Sequence, residues 1–111
     1  MDITFRTEKL MKVFNSEAKL IAKYGKDNAK LIIRRMQVLF FADTLAEVSH
    51  QKPTRRHQLK GNRSGEFAVD LAFPFRLVFE PNHSPVPKKH DSGIDLDEIT
   101  AIIINGVEDY H

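Results

Sequence analysis

The sequence predicts an α+β domain, with two helices packed on a small twisted antiparallel sheet. Three observations carry that expectation. Helical periodicity is confined to the first half of the chain, strand patterns fill the second half, and 111 residues without internal repeats make one domain, residues 1–111. The expected order is strand, two helices, three strands.

The stretch "DITF" alternates, with Ile3 and Phe5 sharing one face, and reads as the first strand. Leu10, Val13 and Phe14 fit a short helical turn. "NSEAKLIAKYG" is a helix that Asn15 or Ser16 caps, with Glu17 in its first turn and Gly25 ending it. From Asp27 to about Val48 the period stays helical. Ala29, Ile32, Met36, Leu39 and Phe40 form one stripe, and Phe41, Leu45 and Val48 carry it round. Lys30, Arg34 and Gln37 fall on the other side, and Arg34 and Arg35 are expected to solvate the outer face. Two helices joined so tightly pack antiparallel.

Pro53, Gly61 and Gly65 break regular structure across "SHQKPTRRHQLKGNRSG". "EFAVDLA" puts Phe67, Val69 and Leu71 on one face, and "FPF" turns the chain. "RLVFE" sets Leu77 and Phe79 on one side and Arg76, Val78 and Glu80 on the other. Pro81 to Asp97 is a long polar loop. "EITAIIINGV" is apolar on both faces, which predicts a strand covered on both sides.

An apolar fraction of 41% suits a water-soluble domain. There are no cysteines, which removes disulfides, thiolate metal sites and a cysteine nucleophile, and fits a cytoplasmic location. "MDITFRTEKL" lacks the apolar run of a leader, and no stretch approaches the roughly 20 apolar residues of a membrane span. Net charge is only +2, but it is segregated. Ser49 to Gly65 holds Lys52, Arg55, Arg56, Lys60, Arg63 and two histidines with no acid, whereas acids gather in "HDSGIDLDE". A cationic block beside imidazoles fits a polyanion such as RNA, and a solvated loop is the plainer account.

Three features can meet at one edge of an antiparallel sheet: His57 before the second strand, Arg76 opening the third, and Asp109, Tyr110 and His111 leaving the fourth. The chain closes on that trio directly behind an apolar strand, so these side chains are expected to be tied to the sheet. Cleaving RNA through its 2′-hydroxyl needs a base, cations for the charge building on phosphate, and an acid for the leaving 5′-oxygen. Histidine serves either proton role near neutral pH, arginine grips phosphate oxygens in pairs, and tyrosine stacks on a base. Lys52, Arg55, Arg56, Lys60 and Arg63 are the candidate RNA-binding cations. The plainer accounts are a loop histidine for His57, an Arg76–Glu80 pair, and a polar exit from a buried strand for the trio. With no His-x-x-x-His pair and no cysteine, neither a metal nor a cofactor is expected.

The blocks "RHQLKGNRSGEFAVDL", "FRLVFEP" and "ITAIIINGVEDYH", with "ITFRTEKLMKVFN" and "KYGKDNAKLIIRRM" ahead of them, closely resemble HigB-like killer toxins of the RelE/ParE superfamily. The resemblance spans nearly the whole chain. It implies two helices against a twisted antiparallel sheet, and the toxin of a type II toxin–antitoxin pair. It further implies a metal-independent endoribonuclease that cuts messenger RNA, typically on the ribosome, and a HigA-like helix-turn-helix antitoxin as partner. The resemblance places catalytic roles on His57, Arg76, Asp109, Tyr110 and His111, whereas a phosphate role for Lys60 comes from charge alone. The loop from Asn82 to Glu98 is long for such proteins; it is expected to leave the sheet positions untouched and to bear on ribosome docking. The runner-up function is a non-enzymatic, ParE-like inhibitor of DNA gyrase, and a third is a plain RNA-binding module.

Overall fold

A computed structural model describes residues 1–110. Strand β1 (Asp2–Phe5) leads into helices α1 (Glu8–Phe14), α2 (Glu17–Tyr24) and α3 (Lys26–Phe41). Strands β2 (His57–Gln58), β3 (Phe67–Asp70), β4 (Phe75–Pro81) and β5 (Ala101–Asp109) follow. The α+β class expected from the sequence is the one observed.

Local chemistry sets the helix boundaries. The Thr7 hydroxyl accepts from the Leu10 amide at 3.1 Å, which makes α1 a capped helix of its own. Of the two candidate caps for α2, Ser16 is the one used, accepting from the Lys19 amide at 3.2 Å. Gly25 then turns the chain with φ +86°, a conformation that favours glycine. Helix α3 stops at Phe41 rather than running to Val48. Its last carbonyls, those of Leu39, Phe40 and Ala42, accept from the Met1 amino group at 3.3, 2.8 and 2.5 Å. Ending there lets Leu45 and Val48 return to the core through a short 3₁₀ turn, Leu45–Glu47, and leaves Phe40 and Phe41 exposed.

The sheet order is β1-β5-β4-β3-β2. It is antiparallel except at one edge, where β1 joins β5 in parallel, Ile3 beside Ile102 and Phe5 beside Ile104. Two features go beyond the expected four antiparallel strands. The apolar β5 is long enough to take β1 on one side and β4 on the other, and His57–Gln58 forms a short fifth strand against β3.

The helices cover one face of the sheet. Leu20, Ile32, Leu39, Leu45, Phe67, Leu77, Phe79 and Ile102 are fully buried there, with the Phe67 and Phe79 rings 6.1 Å apart. Arg34 is exposed as expected, but Arg35 is buried. Its Nε donates to the Asp70 carbonyl at 2.7 Å and its terminal nitrogen to the Pro53 carbonyl at 3.4 Å, so it ties α3 to the end of β3. The other face carries a small buried apolar patch, Leu59, Ala68 and Val78.

One irregularity in β5 decides what that open face displays. Val78 pairs with Gly106, but the next residue, Phe79, pairs with Ile104, so Asn105 is an extra residue and the strand bulges. Gly106 has φ +143°, a region open almost only to glycine. Strict alternation from Ile102 and Ile104 would send Glu108 and Tyr110 to the core side. The bulge reverses the alternation: Val107 turns to the core, and Glu108 lies opposite Arg76 on the open face.

Candidate active site on the open face

Across the three central strands the register aligns Asp70, Arg76 and Glu108 in one row. His57 is opposite Ala68, two positions from Asp70 on β3, and so belongs to the same face. His57, Gln58, Leu59, Lys60, Arg63 and Arg76 line one hollow of about 310 Å³ there.

His57 is positioned by its own loop. Arg55 adopts a left-handed backbone, φ +47°, which is uncommon for a residue with a side chain. Its carbonyl lies 2.8 Å from His57 Nδ1. A carbonyl only accepts, so Nδ1 carries the hydrogen and the neutral ring keeps its lone pair on Nε2. The Arg55 side chain grips Asp70 through two bonds, 2.6 and 2.9 Å. That pairing raises the Arg55 pKa, with a smaller contribution from the Tyr110 phenol.

Arg76 is held from two sides. Its guanidinium carbon lies 5.0 Å from the centre of the Tyr110 ring, a cation–π contact, and one terminal nitrogen reaches Glu108 at 3.4 Å. Its Nε is buried and has no acceptor among the described residues. The expected Arg76–Glu80 pair does not form, and Glu80 lies 3.6 Å from Arg6 instead.

Arg63 is the most tightly paired cation. It bonds Glu66 at 2.7 and 3.1 Å and Glu108 at 2.8 and 2.5 Å, and Asn105 Nδ2 donates to Glu66 at 3.1 Å. The two carboxylates raise the Arg63 pKa, Glu108 more than Glu66. In return Arg63 lowers the pKa of both acids. Lys60 is exposed at the rim, and among the described residues no carboxylate pairs with it.

The fold therefore brings His57, Lys60, Arg63, Arg76 and Tyr110 together, with Arg55 at the margin. Other expected members lie elsewhere. Lys52 is exposed and outside the hollow. Arg56 turns to the Val48 carbonyl at 2.8 Å, and burial lowers its pKa. Asp109 pairs with Phe75, which packs on the core side, so Asp109 is one position out of step with Arg76. His111 lies outside the described residues. The long loop comes closer than expected: Val86, Lys88, Ser92, Gly93 and Ile94 share a second hollow, about 190 Å³, with Gln58, Ser64 and Gly65.

Sequence reasoning missed Glu66, Asp70 and above all Glu108. The signal for Glu108 was the "NG" pair inside an apolar strand, where an interior glycine marks a bulge and a change of facing. Neither the models of known protein families nor the curated proteins give a match to this chain.

Proposed function

We propose that the chain is a metal-independent endoribonuclease acting on messenger RNA in the cytoplasm, the toxin of a toxin–antitoxin pair with a helix-turn-helix antitoxin. The observation that carries this reading is the shared hollow. An imidazole with a defined tautomer and an arginine stacked on a tyrosine lie on one sheet face, with a lysine at the rim. His57 Nε2 takes the proton of a ribose 2′-hydroxyl, the 2′-oxygen bonds to phosphorus, and the bond from phosphorus to the 5′-oxygen breaks. Arg76 stabilises charge on the phosphate, Tyr110 positions a nucleotide, and His111 is the candidate acid for the leaving oxygen. Asp109, on the other face, has an orienting role at most.

The carboxylates that neutralise Arg55 and Arg63 favour a second reading, a non-enzymatic toxin of the gyrase-inhibiting kind. Inducible expression with mapping of RNA ends, beside a gyrase supercoiling assay, separates the two. The nuclease reading expects cleavage of translated messages that falls about 10²–10⁴-fold in His57→Ala, and is lost on deletion of His111, with the fold retained. Undiminished cleavage in His57→Ala, or gyrase inhibition without cleavage by the unaltered chain, removes it.

A further inference from the structure

Glu108 contacts both arginines of the hollow, Arg63 and Arg76. A carboxylate and a phosphodiester each offer two anionic oxygens, and guanidinium groups take both in the same fork geometry. Arg63 gives Glu108 two close bonds, 2.8 and 2.5 Å, and is held independently by Glu66. Arg76 gives Glu108 one long contact of 3.4 Å, while its Nε–H is buried without an acceptor among the described residues. The two arginines thus differ sharply in how firmly they are committed. Arg63 has both its donor edges filled, whereas among the described residues Arg76 holds Glu108 by one long contact and has an edge to fill. An acid directly opposite Arg76 in the register also repels an incoming phosphate.

We propose that Glu108 is an internal stand-in for the RNA phosphate, orienting Arg63 and Arg76 and yielding Arg76 to the backbone phosphate when RNA binds. This rests on the nuclease reading above. Arg63 stays with its two carboxylates as an anchor, so the phosphate is gripped by Arg76 and Lys60. Glu108 is a positioning residue: it touches the groups that bind phosphate rather than the reacting atoms.

The test uses the full chain and an RNA oligonucleotide methylated at every 2′-oxygen, which binds but cannot be cut. Glu108→Gln removes the competing charge, and binding measured by fluorescence anisotropy tightens about fivefold or more at low salt. Single-turnover cleavage of unmodified RNA slows in the same variant, because Arg76 is no longer preset, so KM and kcat fall together. Equal or weaker binding by a folded Glu108→Gln chain overturns the proposal. A second measurement needs no substitution: in the unaltered chain the oligonucleotide shifts the Arg76 Nε–H resonance and leaves that of Arg63 in place. A shift at Arg63 alone, or at neither, also overturns it. If the unaltered chain binds and cuts RNA while Glu108→Gln behaves identically, the proposal alone fails. If the unaltered chain neither binds nor cuts, the nuclease reading fails with it.

Discussion

Replacing Gly106 by alanine tests whether the bulge holds the site together. A Cβ built at this position meets no heavy atom within 4 Å, so collision contributes nothing. The whole cost is conformational, because φ +143° lies where residues with a side chain are rarely found. Holding a residue in so sparse a region costs about 1–3 kcal/mol. The strand has one escape, to drop the bulge, but that turns Val107 outward and drives Glu108 and Tyr110 toward the apolar side. The chain is therefore expected to keep the bulge and bear the strain. Urea unfolding followed by circular dichroism should show a loss of about 1–3 kcal/mol, or roughly 4–15 °C in Tm for a domain of this size. Gly65 is the control, because a Cβ there also meets nothing and its φ lies outside the glycine-favouring range. Gly65→Ala should change stability by no more than about 0.5 kcal/mol. A Gly106→Ala chain as stable as Gly65→Ala would refute the account of the bulge.

Two further outcomes follow from the arginine contacts. Arg35→Met keeps the buried stem but leaves the Asp70 and Pro53 carbonyls without their donor, and should cost about 2–4 kcal/mol in the same unfolding assay; a loss under about 1 kcal/mol would show that Arg35 is no anchor. Acid should destabilise the chain through Glu66 and Glu108, whose folded pKa values Arg63 holds below the ordinary 4.5. Their contribution is complete above that ordinary value and is lost as pH falls through the lowered folded values. Unfolding free energy measured from pH 7 downward should thus decline below about pH 4.5, and the decline should flatten in Glu66→Gln/Glu108→Gln. An undiminished acid slope in the double variant would count against the pairing.

Much of this was legible in the chain because the relevant signals are local. Periodicity places α2, β3 and β4, and it groups Leu77 and Phe79 on one side of β4, the side that the structure packs in the core. The end of α3 was not legible. Its last carbonyls bond the Met1 amino group, which residues 40–48 do not encode. Arg35 looked like a solvated cation because its partners are backbone carbonyls, which carry no sequence signature. The His57 and Arg76 side of the hollow was read from charge and strand order, and the structure places both residues there. The acids were overlooked for a different reason. Glu66, Asp70 and Glu108 are scattered along the chain, and only the register gathers them against the arginines.

The parallel edge of the sheet also has a consequence for how the protein is made. β1 precedes every other described strand in the chain, yet the strand it pairs with, β5, follows all of them. On a ribosome the opening segment must therefore wait, its ladder of amides and carbonyls unmatched, until residues 101–109 emerge. Glu108 lies in that strand and Tyr110 directly behind it, so Arg76 gains its carboxylate and its ring contact only once β5 has been made. A nascent chain that stops short of β5 leaves Arg76 without both of these neighbours.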